Sequence, residues 1–186
     1  EEKNHIVKNN FDVIGSLATG GLSNAWGCGV AKYSPQEFPD IPFSYQDLNF
    51  SYERIARRIG LSGGSDDALS EYFGLDSLQN KPIELDVHHQ YLLDNYNKHS
   101  KLSKSNYFRL GRSRLAVSSI DINGRLGCNH LGNCMWGCSR KSLYNASFEL
   151  QDLFKFPNFS MECGFIVSKL TKKGVLWQVH GNFEKE

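Results

Sequence analysis

The sequence has no long apolar run and almost no net charge. None of its 186 residues lies in a hydrophobic stretch near the roughly 20 residues that a membrane-spanning helix needs. No basic-then-apolar signal peptide is found either. The formal net charge is +1, which gives no electrostatic reason to expect nucleic acid or an anionic membrane surface as a partner. We therefore expect a cytoplasmic protein with no transmembrane segment and no nucleic-acid partner.

Internal repeats and low-complexity segments are also absent. The chain has five cysteines, and an odd number in a chain of this length does not indicate a secreted disulfide framework. Three of them fall within "CNHLGNCMWGC", where Cys128, Cys134 and Cys138 have the spacing C-x5-C-x3-C. This clustering indicates ligand chemistry first and disulfide chemistry second.

The cysteine cluster is typical of a site for a soft metal or an iron–sulfur cluster, because thiolates bind both. A structural zinc site needs four ligands, and His130 is too near Cys128 in sequence to suit the role of the fourth ligand. We expect a helix after Cys138, whose N-terminal N–H groups would favour the thiolate. We also expect Met135 and Trp136 to shield the site from water. Another metal or redox role and inert buried cysteines remain alternatives.

Helical and antiparallel strand signals both occur, without regular alternation, which favours an α+β fold. The clearest helix begins after Ser44, which forms a capping box with Asp47, and it ends at Gly60. Its predicted apolar face consists of Leu48, Tyr52, Ile55 and Ile59. The other predicted elements are a helix over residues 81–100, a helix from about 139 to 154, a strand over 114–125 ending in an Asn123-Gly124 turn, and a terminal hairpin.

A glycine-rich segment, "TGGLSNAWGCG", occupies residues 19–29. Glycines at this density serve either a run of tight turns or a backbone that must lie against something flat or charged. The segment therefore suggests a ligand, with a purely structural turn region as the alternative.

This segment and the capped helix together resemble the middle of the glucose–methanol–choline flavoprotein oxidoreductases. That family has a Gly-Gly-x-Ser-x-x-Trp-Gly segment beside the flavin, followed by a helix of the form "sy-x-D-L-x-x-x-Y". The matching residues here are Gly20, Gly21, Ser23, Trp26, Gly27, Ser44, Tyr45, Asp47, Leu48, Tyr52, Gly60, Leu61 and Gly63. Cys28 stands where many members have a second glycine. The resemblance implies an FAD cofactor and oxidation of a CH–OH group in a sugar or alcohol.

The resemblance also implies which residues contact each cofactor. It places the flavin against Gly20, Gly21, Ser23, Asn24, Trp26 and Gly27, and the FAD adenine against the backbone of Val167. Membrane-associated sugar dehydrogenases have a three-cysteine motif of the same spacing, which implies that Cys128, Cys134 and Cys138 hold a three-iron, four-sulfide cluster. Leu131 stands where a related four-cysteine motif has its second cysteine, which argues against a four-iron cluster. An acceptor protein or a quinone would then take the electrons.

Two hallmarks of that family do not occur in this sequence. The Rossmann G-x-G-x-x-G that seats the FAD pyrophosphate is missing, and no histidine has the context of the catalytic one. We therefore expect an internal fragment that is inactive alone, with the catalytic base outside it and no catalytic residue in it. We predict a flavin-contacting region over 1–64, a substrate-domain region with the cysteine loop over 65–138, and a returning helix and hairpin over 139–186. The alternative is a stand-alone metal-binding or electron-transfer module without flavin.

Overall fold

The computed structural model divides the chain into two compact units. One comprises Glu1–Asn24 with Ala146–Glu186, and the other, which is larger, comprises Ala25–Asn145. The residues that the structure describes are 10, 14–37, 42–65, 67–75, 79–99 and 108–184. Helices occur together with a small antiparallel sheet, which agrees with the expected α+β class. Among the described residues, no helix has the length and apolar character needed to cross a membrane.

Over its described residues, the larger unit contains three α-helices and two very short strands. The helices are α1 (Tyr45–Ile59), α2 (Ser70–Phe73) and α3 (Val87–His99). The strands β1 (Leu61–Ser62) and β2 (Gln79–Asn80) pair in parallel. Helix α3 is shorter at its start than predicted, because the Asp86 carboxylate accepts the backbone N–H of His89 at 2.8 Å and so begins the helix there.

The predicted capping box of α1 is confirmed. The Ser44 hydroxyl accepts the N–H of Asp47 at 3.2 Å, and the Asp47 carboxylate accepts the N–H of Ser44 at 3.1 Å. Gly60 ends the helix in the left-handed conformation at φ 72°, where a residue without a Cβ is favoured. These local signals define both ends of the helix.

The apolar face of α1 differs from the prediction by one position. Ala56 and Ile59 are buried, whereas Ile55 is 46% exposed. Ala56 and Ile55 precede Ile59 by three and four residues, so they lie on the two sides of the helix face that contains Ile59. The core contacts the side with Ala56. The core cluster consists of Cys28, Ala56, Ile59, Leu61, Leu75, Ala116, Val117 and Tyr144.

The segment 114–125 crosses this core through isolated bridges rather than as the continuous strand that was predicted. Leu115 bridges Gly29 and Ser62, and Val117 bridges Leu143. The predicted turn is confirmed: Asn123 and Gly124 have φ values of 50° and 73°, and the flanking residues exchange two backbone hydrogen bonds of 2.9 Å. Two consecutive positive φ angles are typical of a type I′ hairpin turn.

In the part of the smaller unit that the structure describes, there are one short α-helix and the predicted terminal hairpin. Helix α4 covers Phe148–Leu153, and strands β3 (Phe165–Lys173) and β4 (Leu176–Phe183) pair antiparallel. Gly174 allows the turn between them at φ 64°. A register shift between Val167 and Lys169 interrupts the pairing of β3.

Candidate metal centre

Cys128, Cys134 and Cys138 all line one cavity of about 310 Å³ in the larger unit. The rest of the wall is partly apolar, from Leu115 and Val117, and partly polar, from Asn129 and Arg140 among others. The structure therefore places the three predicted ligands around one space, with nine residues between the first and the last.

The loop between the first two cysteines reverses direction through two residues with positive φ. His130 has φ 60° and Gly132 has φ 73°, and the turn Cys134–Trp136 follows. Cys128 is fixed at the start of the loop because its N–H donates to the carbonyl of Ser118 at 2.8 Å. Glycine suits such a position because it lacks a Cβ. The loop thus runs from an anchored cysteine to a cysteine on an exposed turn.

The pKa of the Cys138 thiol is lower than its ordinary value. Burial acts to raise this pKa, but hydrogen bonding from the backbone of Leu143, from the side chain and backbone of Ser142, and from the backbone of Arg140 together lower it. The Ser142 hydroxyl itself donates to the carbonyl of Leu126 at 2.7 Å.

The helix that was predicted after Cys138 does not begin there. Residues 139–147 contain turns and a bridge, and the helix begins only at Phe148. Lys141 has φ 55°, which is incompatible with an α-helix, and the bridge of Leu143 to Val117 uses an extended backbone. The predicted helix is therefore wrong over these residues.

Met135 and Trp136 do not shield the cavity from water, contrary to the prediction. Their relative exposures are 88% and 92%. They lie on the turn that follows the loop, where the backbone points their side chains outward.

Cys28 is a further thiol that the sequence analysis did not assign to this region. It is 1% exposed and shares the core cluster against which Cys128 packs. Burial, followed by the nearby charge of Cys134, raises the pKa of Cys28 to about 11, while Arg125 acts in the opposite direction. The only sequence signal was a cysteine at a position where the resembled family has glycine, and it indeed has φ 57°.

Among the described residues, no three His, Cys, Asp or Glu side chains converge closely enough to hold one metal ion. Since a water molecule occupies about 30 Å³ of liquid, the cavity has room for an inorganic core of several atoms.

The first part of the glycine segment, residues 19–24, forms a closed turn in the smaller unit. Gly21 and Ser23 donate their N–H groups to the carbonyls of Ala18 and Gly20, at 2.8 and 3.2 Å. The Ser23 hydroxyl accepts the N–H of Ala146 at 2.9 Å. These backbone donors are thus already engaged within the unit. A Cβ built on Gly21 meets nothing within 4 Å, so this face of the backbone is open.

The Asn24 amide also closes this turn, because it donates to the carbonyls of Thr19 and Gly21, each at 3.0 Å. Val167 belongs to the same unit and is 51% exposed at the register shift of β3.

Trp26 and Gly27 belong to the larger unit. The Trp26 indole donates to the carbonyl of Tyr144 at 2.9 Å and meets the Tyr144 ring edge-on, with centroids 6.4 Å apart. Trp26 therefore has a structural role in the core of that unit. A Cβ built on Gly27 meets nothing within 4 Å. The seven residues predicted to contact FAD thus divide between the two units.

Neither a family model nor a curated protein matches this chain. The resemblance to the flavoprotein family therefore rests on the residues quoted for it above.

Proposed function

We propose that this chain is part of an FAD-dependent dehydrogenase that oxidises a CH–OH group of a sugar or alcohol. In this proposal Cys128, Cys134 and Cys138 hold a three-iron, four-sulfide cluster through which electrons pass to a protein or quinone acceptor. The observation that carries the proposal is the common cavity lined by the three cysteines.

The residues present fit such a cluster in chemistry as well as in number. Thiolates are the usual protein ligands of iron–sulfur clusters, and hydrogen bonds to the sulfurs help to set the reduction potential. Here hydrogen bonding lowers the pKa of the Cys138 thiol, which favours its thiolate form before any metal binds. When bound, a cluster supplies reversible one-electron storage. The chain itself contributes the thiolates and the wall of the cavity.

The flavin part of the proposal depends on the family resemblance. The open backbone at Gly21 is compatible with a flat ligand lying against it, and glycine there permits close approach. Ser23 and Asn24 use their side chains to close the turn, so their role would be to hold the backbone in shape. The base that takes the hydroxyl proton would lie outside this chain.

The alternative function is an electron-transfer module that binds a cluster but no flavin. One observation favours it: the cysteine cavity lies entirely within the larger unit, whereas the predicted flavin contacts are divided between the two. The two functions share the cluster and differ in FAD.

Anaerobic reconstitution of the chain with ferrous iron and sulfide tests the cluster. We expect iron and acid-labile sulfide to bind in near-equal amounts, with an electron paramagnetic resonance signal from the oxidised sample. Cys134→Ser should abolish both, because it removes one of three ligands. Cys163→Ser is the matched control, since Cys163 is an exposed free cysteine of the other unit. Stoichiometric zinc in place of iron, or equal loss from both variants, would contradict the assignment.

Titration of the chain alone with FAD does not separate the two functions, so a longer protein is needed. The resemblance assigns most FAD contacts to a Rossmann unit whose motif this sequence lacks, so we expect the chain alone to bind FAD weakly or not at all. The decisive spectrum is that of a protein in which the chain is joined to such a unit. A flavin absorption band beside a broad iron–sulfur shoulder would support the dehydrogenase, and a shoulder alone would support the module.

A further inference from the structure

The turn of the terminal hairpin has an apolar side chain where turns usually have polar ones. Lys173 pairs with Leu176, so the loop between β3 and β4 consists of Gly174 and Val175 alone. Gly174 has φ 64°, as the first loop position of a type II′ turn requires. The second position needs no apolar side chain, and polar residues are common in turns. Val175 is nevertheless 95% exposed, and no requirement of the turn explains it.

The two residues after the turn extend this exposed apolar surface. Leu176 is 71% exposed and Trp177 is 65% exposed. Directly opposite residues of an antiparallel pair point to the same face, so Leu176 shares a face with Lys173. Trp177 shares the opposite face with Lys172. Each face of this end of the hairpin therefore has one apolar side chain and one lysine, and we call residues 172–177 the hairpin tip.

The charges of the hairpin are separated along its length. Residues 165–183 contain three lysines and no acidic residue, and two of the lysines belong to the hairpin tip. The acidic residues nearest in sequence are Glu162 and Glu184, beyond the other end, where the N–H of Glu184 donates to the carbonyl of Gly164 at 2.7 Å. The ends of the nine-residue strand β3 are roughly 25 Å apart, which exceeds the Debye length of about 8 Å at physiological ionic strength. The hairpin tip is therefore the cationic end of the hairpin, although the net charge of the whole chain is only +1.

We propose that the hairpin tip is a membrane-surface anchor, which inserts into the boundary between the headgroups and the acyl chains of an anionic bilayer. Val175, Leu176 and Trp177 enter this boundary, because apolar side chains together with tryptophan suit that depth. The ammonium groups of Lys172 and Lys173 stay at the headgroups, while their stems lie along the apolar surface. The proposal depends on neither the cluster nor FAD.

A protein partner is the competing occupant, and the placement of the side chains argues against it. A partner strand recognises the free backbone edge of β3 or β4 and the side chains of one face. Such a contact leaves out the turn and the other face. At the hairpin tip, however, apolar and basic side chains occur together on both faces, and the turn itself is apolar. A fluid surface can surround both faces, and its anionic headgroups attract the lysines.

Sedimentation of the full chain with lipid vesicles tests the proposal. We expect binding to vesicles of phosphatidylserine and phosphatidylcholine, and roughly tenfold or more weaker binding to vesicles of phosphatidylcholine alone. Raising the salt concentration should weaken the binding to anionic vesicles, which tests the charge contribution without any substitution.

Substitutions then separate the two contributions of the hairpin tip. One lysine near an anionic surface contributes a factor of about five to binding, so K172Q/K173Q should bind about 25-fold more weakly. V175S/L176S should bind roughly tenfold or more weakly. L170T is the matched control, because Leu170 is an apolar residue of the same hairpin, 58% exposed and outside the tip, and it should bind like the wild type. All five substituted side chains are exposed, so circular dichroism should show wild-type folding.

Other outcomes overturn the inference. No binding of the wild type to anionic vesicles would refute it, and capture of the chain by polyglutamate instead would assign the lysines to an acidic protein segment. Equal losses in L170T and V175S/L176S would mean that the whole apolar face of the hairpin makes the contact. Self-association in analytical ultracentrifugation that V175S/L176S abolishes, without vesicle binding, would make the hairpin tip an interface between copies of this chain.

Discussion

Cys28 should make the stability of this protein depend on pH in the alkaline range. Its sulfur lies 3.8 Å from the carbonyl of Trp26, to which the thiol donates. Burial is the largest cause that raises its pKa, and the nearby charge of Cys134 adds to it. The result is a rise from the ordinary value of 9.0 to about 11, even though Arg125 acts to lower it.

The direction of this pH effect depends on whether the folded or the unfolded chain holds the Cys28 proton more tightly. The folded chain keeps the Cys28 proton up to about pH 11, whereas the unfolded chain releases it near pH 9.0. The stabilisation is complete below pH 9 and is lost as the pH rises through 11. Since one pKa unit corresponds to about 1.36 kcal/mol, the full loss is about 2.7 kcal/mol, and about half of it is gone by pH 10.

Urea unfolding of the reduced, metal-free chain at pH 8 and pH 10 measures this effect. Tyrosines and lysines also titrate here, but their contribution cancels when the wild type is compared with Cys28→Ala. The free energy of unfolding of the wild type, relative to that of Cys28→Ala, should fall by about 1.4 kcal/mol from pH 8 to pH 10. Cys163→Ala, at an exposed position, should show no such change. A pH-independent gap for Cys28→Ala would refute the reasoning.

Three further substitutions test the fold and the glycine segment. Asp67→Ala should lower the free energy of unfolding by about 3–5 kcal/mol, because it removes the carboxylate that pairs with the fully buried guanidinium of Arg114. Glu71→Ala, in an exposed ion pair, is the control and should lower it by less than about 1 kcal/mol. Equal losses of stability in urea unfolding would contradict this prediction. Ser44→Ala should cost about 0.5–2 kcal/mol by removing the cap of α1, and an unchanged unfolding midpoint would count against that role. Gly21→Val, at φ 57°, should weaken FAD binding in a flavin-loaded protein, whereas unchanged affinity in equilibrium dialysis would place the flavin elsewhere.

The parts of the fold that the sequence predicted correctly are those set by neighbouring residues. The cap at Ser44, the stop at Gly60 and the turn at Asn123-Gly124 each depend on atoms within a few positions of one another. The terminal hairpin is likewise local. By contrast, the buried side of α1 depends on which distant residues pack against the helix. The hydrophobic pattern of α1 alone therefore could not decide whether Ile55 or Ala56 is buried.

The cysteine site shows how far residue spacing alone could predict geometry. The three cysteines were expected to converge on one point. They line one cavity, but among the described residues no three His, Cys, Asp or Glu side chains come close enough to hold one metal ion. The helix expected after Cys138 had the right apolar spacing, but Arg125 takes the carbonyls of Lys141 and Ser142 from across the unit. Such a contact has no local signal, and it competes directly with the hydrogen bonds a helix would make.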